Sequence, residues 1–322
     1  MRSPRTVSYS RRAAISRPSI KWGASVFLVL LLVAYATVSY FIATGVTKAE
    51  RKQQEAHPTD HGLLFENVEF LSRRGDVTLR GWFLPAEANS PTLIFVHGIG
   101  SIRSGNNATE LAAAMVELGF SVLLFDLRAH GTSEGEKISG GIFESQDVLG
   151  AFDFVLAQGT LPERIGVLGF SMGAGTSVLA AADEPRIQAL VIDSTYASAT
   201  DLISQETARK TPFPEWLVSI FVPGANFLAD IIYDIDLDAL APEARVAELD
   251  YPVMVIHGTA DTRIPVDHGL RVYRAAHPDS VLWTVPDVEH VDAFLDHPDN
   301  YVQRVAGYFI HRFGSDPPEP SP

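Results

Sequence analysis

Residues 166–175 read GVLGFSMGAG, with Ser171 held between Gly169-Phe170 and Met172-Gly173. Just ahead, residues 165–168 form a short continuous apolar run, the pattern of a strand buried on both faces. Just behind, residues 173–182 are small and helix-compatible. A strand that turns at once into a helix leaves no room for side chains beside the turning residue, and Gly169 and Gly173 meet that need. The serine hydroxyl would then stand at the carboxyl end of a sheet, over a helix N-terminus that favours developing negative charge. Three fixed residues in five arise by chance in many chains. The flanking strand and helix are what give the motif its weight.

Working outward, the same alternation recurs. Apolar runs at 92–96, 121–125, 189–192, 253–256 and 281–285 are separated by helical stretches at 108–118, 142–157, 266–276 and 301–313. Strand and helix in alternation predict right-handed crossovers and a mostly parallel, doubly wound α/β sheet. Residues 64–71 and 77–84, joined by Arg73-Arg74-Gly75-Asp76, read instead as an antiparallel N-terminal hairpin. One long interruption, residues 195–249, has no strand run and carries Pro212, Phe213, Pro214, Trp216, Phe221, Pro223 and Phe227. It is expected to form a small helical cap over the carboxyl ends of the strands. Its apolar side chains hint at an acyl or alkyl group beneath, although ordinary helix packing explains them equally well.

A serine hydroxyl is a poor nucleophile until a base takes its proton, and the base needs an acid to orient it. Ligands of doubly wound sheets sit at the strands' carboxyl ends, so the residues after each run are the candidates. The 253–256 run leads into His257-Gly258-Thr259-Ala260-Asp261, and the 281–285 run into Pro286-Asp287-Val288-Glu289-His290. In a doubly wound fold with this strand-turn-helix motif the expected order is serine, acid, histidine, and Ser171, Asp261 and His290 meet it. Asp292 is the main rival acid and Glu289 a weaker one. The other nine histidines lie in the segment after the apolar stretch, in helices, in the loop after residue 125, or, for His97 and His257, before a glycine where backbone positioning is the simpler role. Charge also develops on a substrate carbonyl oxygen. Backbone N–H groups of Met172 and of Ile99, in His97-Gly98-Ile99-Gly100, are the expected oxyanion donors. His290, Asp292, Asp296 and His297 fit no zinc spacing, and neither a metal nor a cofactor is implied.

Charge is divided unevenly. Residues 1–52 hold nine Lys/Arg and one acid, and residues 53–322 hold sixteen against thirty-eight, giving +8 and −22, which sum to −14. So acidic a body would repel phosphates, and nucleic acid is not an expected partner. The absence of cysteine rules out disulfides, thiolate metal sites and a Cys nucleophile.

From Trp22 to Thr47 there is no charge, a stretch longer than the roughly 20 helical residues that span a bilayer core. Arg2, Arg5, Arg11, Arg12, Arg17 and Lys21 precede it without one acid, so the positive-inside rule keeps the N-terminus cytoplasmic and puts the catalytic domain outside. A cleaved signal peptide is the competing reading. The long basic segment, the long apolar stretch and the lack of an A-x-A site favour a retained single-pass anchor. The expected organisation is a basic cytoplasmic N-terminus at 1–21, a transmembrane helix at 22–47, a spacer at 48–62, a catalytic domain at 63–314 with its cap near 195–249, and a fraying Pro-rich tail at 315–322.

From about Asn67 to Phe313 the chain resembles the α/β-hydrolase superfamily, in the broad group of monoacylglycerol lipase-like, serine aminopeptidase-like and Bem46-like proteins. The resemblance rests on FVHGIG (95–100), FDLRAHGTSEG (125–135), GVLGFSMGAG (166–175), PVMVIHGTADTRIP (252–265) and the EHVDAF around His290. It implies triad roles for Ser171, Asp261 and His290, an oxyanion hole at Ile99 and Met172, structural roles for Asp126, Arg128 and His130, and no cofactor. The implied activity is hydrolysis of a small-molecule carboxylic ester, and the hint of an apolar acyl part comes from the cap's side chains alone. A peptidase or thioesterase on the same fold, or an inactive membrane-tethered binding module, are the alternatives. A peptidase would need acids for a substrate ammonium, and Asp234, Asp236 and Asp238 are the conceivable set.

Overall fold

Eight strands form one sheet in the order β1-β2-β4-β3-β5-β6-β7-β8. They are β1 (Glu66–Leu71), β2 (Thr78–Leu84), β3 (Thr92–Val96), β4 (Ser121–Asp126), β5 (Ile165–Phe170), β6 (Leu190–Asp193), β7 (Met254–Gly258) and β8 (Val281–Val285). The pairs β1/β2 and β2/β4 are antiparallel and all others parallel. This computed structural model describes residues 17–45, 47, 51–210 and 214–314. Expectations for the basic residues before Arg17, the residues at 48–50, Pro212, Phe213 and the tail from 315 concern positions outside the described residues.

The helices are α1 (Arg17–Gly45), α2 (Ala108–Glu117), α3 (Ile142–Ala157), α4 (Met172–Asp183), α5 (Ala199–Lys210), α6 (Glu215–Ser219), α7 (Val222–Tyr233), α8 (Pro242–Val246), α9 (Val266–Ala275), α10 (Ala293–Asp296) and α11 (Pro298–Arg312). Strand residues alternate between two cores. Ile94, Val96, Ile165 and Val167 point to one face, while Leu93, Phe95, Leu168 and Phe170 point to the other. Period-2 geometry sends successive side chains to opposite sides, so continuous apolar runs are what a sheet covered on both faces requires.

Two expectations need correction. The 281–285 run is not buried on both faces: β8 is an edge strand, alternately open and buried, with Val281 46% exposed. The last helix starts at Pro298 rather than 301, because proline suits the first helical turn, where its missing N–H costs nothing.

The strand order places a topological switch between β3 and β5, since the chain leaves β3 towards β4 on one side and β5 towards β6 on the other. Their carboxyl ends frame the crevice where such sheets bind ligands. Between β6 and β7 the chain inserts α5 to α8 and one 3-10 turn at Leu237–Ala239, and α5 and that turn border the crevice.

Helix α1 contains a 22-residue stretch, Ala24–Gly45, of mean hydropathy 2.4 that is long and apolar enough to cross a membrane. It begins earlier than the uncharged stretch at 22–47, because backbone hydrogen bonding continues through charged residues as readily as through apolar ones. Beyond it the chain is hydrogen-bonded to the body. The Ile138 N–H donates to the Thr47 carbonyl at 3.3 Å, and the Arg51 guanidinium donates to the carbonyls of Gly131, Ser133 and Gly135 at 3.0, 2.7 and 2.7 Å.

Candidate active site

Ser171 links β5 directly to α4 and has φ 56° and ψ −121°, a conformation non-glycine residues seldom adopt. Tight packing holds it there. A Cβ at Gly169 would meet the Gly173 carbonyl and Ala174 Cα at 2.6 and 2.7 Å, and one at Gly173 would collide with the carbonyls of Val96 and His97. The Ser171 N–H donates to the Asp193 carbonyl on β6 at 2.9 Å.

His290 enters from the loop after β8. Its Nε2 lies 2.9 Å from Ser171 Oγ, and its Nδ1 lies 2.7 Å from Asp261 Oδ2. The network assigns the tautomer: Nδ1–H donates to the carboxylate, leaving Nε2 to accept the serine hydroxyl. A residue in the left-handed region, Val291 (φ 63°), turns the chain here, and its N–H donates to Ser194 Oγ at 3.1 Å. Asp261 is buried and its other oxygen accepts the N–H groups of Arg263 and Ile264 at 2.9 and 2.8 Å. Burial alone would push this carboxyl up. Hydrogen bonds from His257, His290 and the Ile264 N–H outweigh it and hold the group well below the usual carboxylate range.

His257 is the residue that sequence reasoning missed. Fully buried, its Nε2–H points at Asp261 Oδ2 (3.3 Å) and at the Ile264 carbonyl (2.9 Å). Its Nδ1 has no hydrogen-bond partner among the described residues and packs against Gly269. The i,i+4 spacing of His257 and Asp261 is the signal the sequence carries for this contact. Among the described residues neither rival acid is hydrogen-bonded to His290, whose Nδ1 faces Asp261. Glu289 accepts the N–H and hydroxyl of Thr262, both at 3.1 Å, and Asp292 precedes α10, with burial raising its pKa.

The loop after β3 is braced by two neutral imidazoles. Nδ1–H of His97 donates to the Gly98 carbonyl at 2.8 Å while its Nε2 accepts the Leu127 N–H at 3.0 Å. Nε2 of His130 accepts the Gly100 N–H at 3.3 Å. Burial, reinforced by neighbouring His130, pushes His97 down to about 4. Asp126 accepts the backbone N–H groups of Arg103 and Thr132, and Arg128 is clamped between Asp147 and Asp76. Between these braces Gly98 lies so close that a Cβ there would be 2.9 Å from Ser171 Cβ. The N–H groups of Ile99 and Met172 have no protein acceptor among the described residues.

Two cavities meet at Ser171. One, of about 140 Å³, is polar and lined by Lys52, Glu55, Ser101, Asn106, Arg263 and His290 among others. The second, of about 290 Å³, is mostly apolar and lined by residues including Tyr196, Leu202, Ile203, Leu237, Leu240 and Ile264, and it reaches Gly45 at the end of α1. Of the aromatics expected there, Trp216, Phe221 and Phe227 do not form its walls: Trp216 and Phe227 are 67% and 62% exposed, and Phe221 stacks on Tyr35 of α1. Asp236 and Asp238 serve local structure, the first accepting the Asp238 N–H and the second the Asn226 side-chain amide.

A family model described as alpha/beta hydrolase fold matches residues 91–217. The chain is 31% identical to the protein YfhR of Salmonella typhi over 249 residues, covering 71% of this chain and 75% of that one. It is 26% identical to the lysophosphatidylserine lipase ABHD12 of Danio rerio, over 59% of this chain and 48% of that protein. Among solved structures, the Pyrococcus furiosus esterase Pf2001 superposes with a TM-score of 0.66 at 26% identity, covering 83% of this chain and 98% of the esterase.

Proposed function

This chain belongs to the α/β-hydrolase superfamily, and from that premise we propose that it is a membrane-anchored serine hydrolase that cleaves carboxylic esters through an acyl-enzyme. The observation that carries this reading is the continuous hydrogen-bonded line from Ser171 Oγ through His290 to Asp261, opening at the junction of the polar and apolar cavities. Similarity to an esterase, and to a lipase named for an acyl lipid, supports the ester class.

In the proposed reaction His290 Nε2 takes the hydroxyl proton as Ser171 Oγ bonds to the ester carbonyl carbon. The oxyanion accepts the Ile99 and Met172 N–H groups, donors worth about 2.7 to 4 kcal/mol each at such a site. As the tetrahedral centre collapses, the carbon–oxygen bond to the alcohol breaks and His290 returns the proton to the leaving oxygen. Water then gives its proton to His290, attacks the acyl carbon, and the acid departs with Ser171 restored. Asp261 keeps the imidazole oriented and stabilises its cation. The acyl part fits the apolar cavity and the alcohol the polar one.

Ser171→Ala should abolish labelling by a fluorophosphonate probe and lower hydrolysis of p-nitrophenyl esters by about 10⁴-fold or more. Labelling that persists in this variant would overturn the assignment. The anchor is read as single-pass with the N-terminus cytoplasmic, on the strength of the basic residues before α1 and the apolar length of Ala24–Gly45. Protease added to intact cells should therefore digest the body of the chain, and full protection would reverse the orientation.

A further inference from the structure

The last third of α1 does not stand free. Tyr35 stacks on Phe221 at 5.3 Å, Ser39 Oγ donates to the Phe221 carbonyl at 3.2 Å, and Ala43 is fully buried in a cluster with Ala225 and Ala229. Helix α7 approaches so closely that a Cβ at Gly224 would lie 2.5 Å from Ser39 Oγ and 2.6 Å from the Tyr35 ring. Small residues at the contact and a hydroxyl satisfied across it are how helices pair in lipid.

Length decides what this contact means. The part of the candidate span before Tyr35, from Ala24, rises only about 16 Å at 1.5 Å per residue. A bilayer core is about 30 Å thick, so α1 can span it only if the segment packed against α7 is also in hydrocarbon. Helix α7 is built for that position. Gly224 faces α1; next around the helix come Phe227 and Ile231, 62% and 66% exposed; Asn226 and Asp230 lie beyond them, away from α1. Val38 and Phe41 on α1, and Trp216 and Ile220 on the segment before α7, are exposed apolar residues as well. The apolar cavity at Ser171 reaches Gly45, where the span ends.

We propose that α7 lies in the bilayer leaflet beside α1, and that the substrate is an acyl lipid of that leaflet whose chain passes into the apolar cavity without crossing water. This rests on the reading of α1 as a membrane anchor and of Ser171 as the nucleophile, and the test separates the three.

The chain has no cysteine, so single cysteines report without background. Phe227→Cys on α7, Val29→Cys on α1 and Asp279→Cys before β8 are each placed in the full chain, labelled with a polarity-sensitive fluorophore and reconstituted in phosphatidylcholine vesicles with brominated acyl chains. Quenching at 227 and at 29 should exceed that at 279 by at least about threefold. Strong quenching at 29 with none at 227 overturns the proposal alone, and none at either site overturns the anchor and the proposal with it. In a second arm, Phe227→Asp/Ile231→Asp should lower release of fatty acid from a single-chain phospholipid in vesicles by about tenfold or more while leaving hydrolysis of soluble p-nitrophenyl acetate unchanged. No selective loss on the vesicle substrate overturns the leaflet route. Hydrolysis surviving in Ser171→Ala would instead sink the serine hydrolase reading, leaving the quenching result to stand by itself.

Discussion

His257 Nε2 and His290 Nδ1 converge on one atom, Asp261 Oδ2, at 3.3 and 2.7 Å. The carboxylate that orients one imidazole is thus itself held by another, which is fully buried. A hydrogen bond to a charged group is worth about 1.5 to 3 kcal/mol. His257→Phe keeps a buried ring and removes the donor, so kcat should fall by about tenfold with KM little changed. The acid limb of the pH profile of kcat/KM should move upward, because without that bond burial pushes the Asp261 carboxyl up. An unchanged profile and kcat would show that His257 serves packing alone.

Gly98→Ala tests the approach of the β3 loop to Ser171. The added methyl would meet Ser171 Cβ at 2.9 Å and Oγ at 3.3 Å. Either the serine or the Ile99 amide must give way, and a misplacement of this size costs about 10²-fold in rate. Stopped-flow acylation by p-nitrophenyl acetate should show that loss, while the thermal midpoint shifts by only a few degrees.

Asp193 is buried, accepting hydroxyls from Ser194 and Tyr301 at 2.9 Å each, and burial pushes its pKa up to about 6. The sign follows from linkage. Below about pH 4 the carboxyl is protonated in both folded and unfolded chains. As pH rises towards 6 the unfolded chain releases its proton while the folded one keeps it, so stability falls across that window. Asp193→Asn should flatten this dependence and be relatively more stable at pH 8 than at pH 4, as thermal melts at the two values would record. Asp261 works oppositely: its depressed pKa contributes stability above the ordinary carboxylate range that is lost as pH falls through the folded value.

Leu202 lines the apolar cavity under the cap. Leu202→Trp should shorten the room for an acyl chain, and each excluded methylene is worth about 1 to 3 kcal/mol. The ratio of kcat/KM for p-nitrophenyl octanoate over acetate should drop by about tenfold, with acetate itself little affected. An unchanged ratio would remove the acyl part from this cavity.

Most of the sheet was legible because its signals are local. Continuous apolar runs at 92–96 and 165–168 need only period-2 geometry and two covered faces, and the Gly169-Ser171-Gly173 spacing needs only a tight strand-helix turn. The edge position of β8 was not legible, since an apolar run does not tell whether a neighbour covers it. Nor was the direction of the cap's aromatics: Phe227 and Trp216 look like a pocket lining in one dimension and stand on the outer surface in three.

Local pattern was enough for the alternating α/β architecture, the candidate nucleophile with its acid and base in order, and an apolar segment long enough to cross a membrane. Long-range packing turns His257 on Asp261, sets Ser171 between a polar and an apolar cavity, and brings α1 against α7 through Tyr35, Ser39 and Gly224. Separation along the chain makes the difference. Local patterns follow from the geometry of a few consecutive peptides, whereas Ser39 and Phe221 stand 182 residues apart and meet only once the whole core has set where each helix lies.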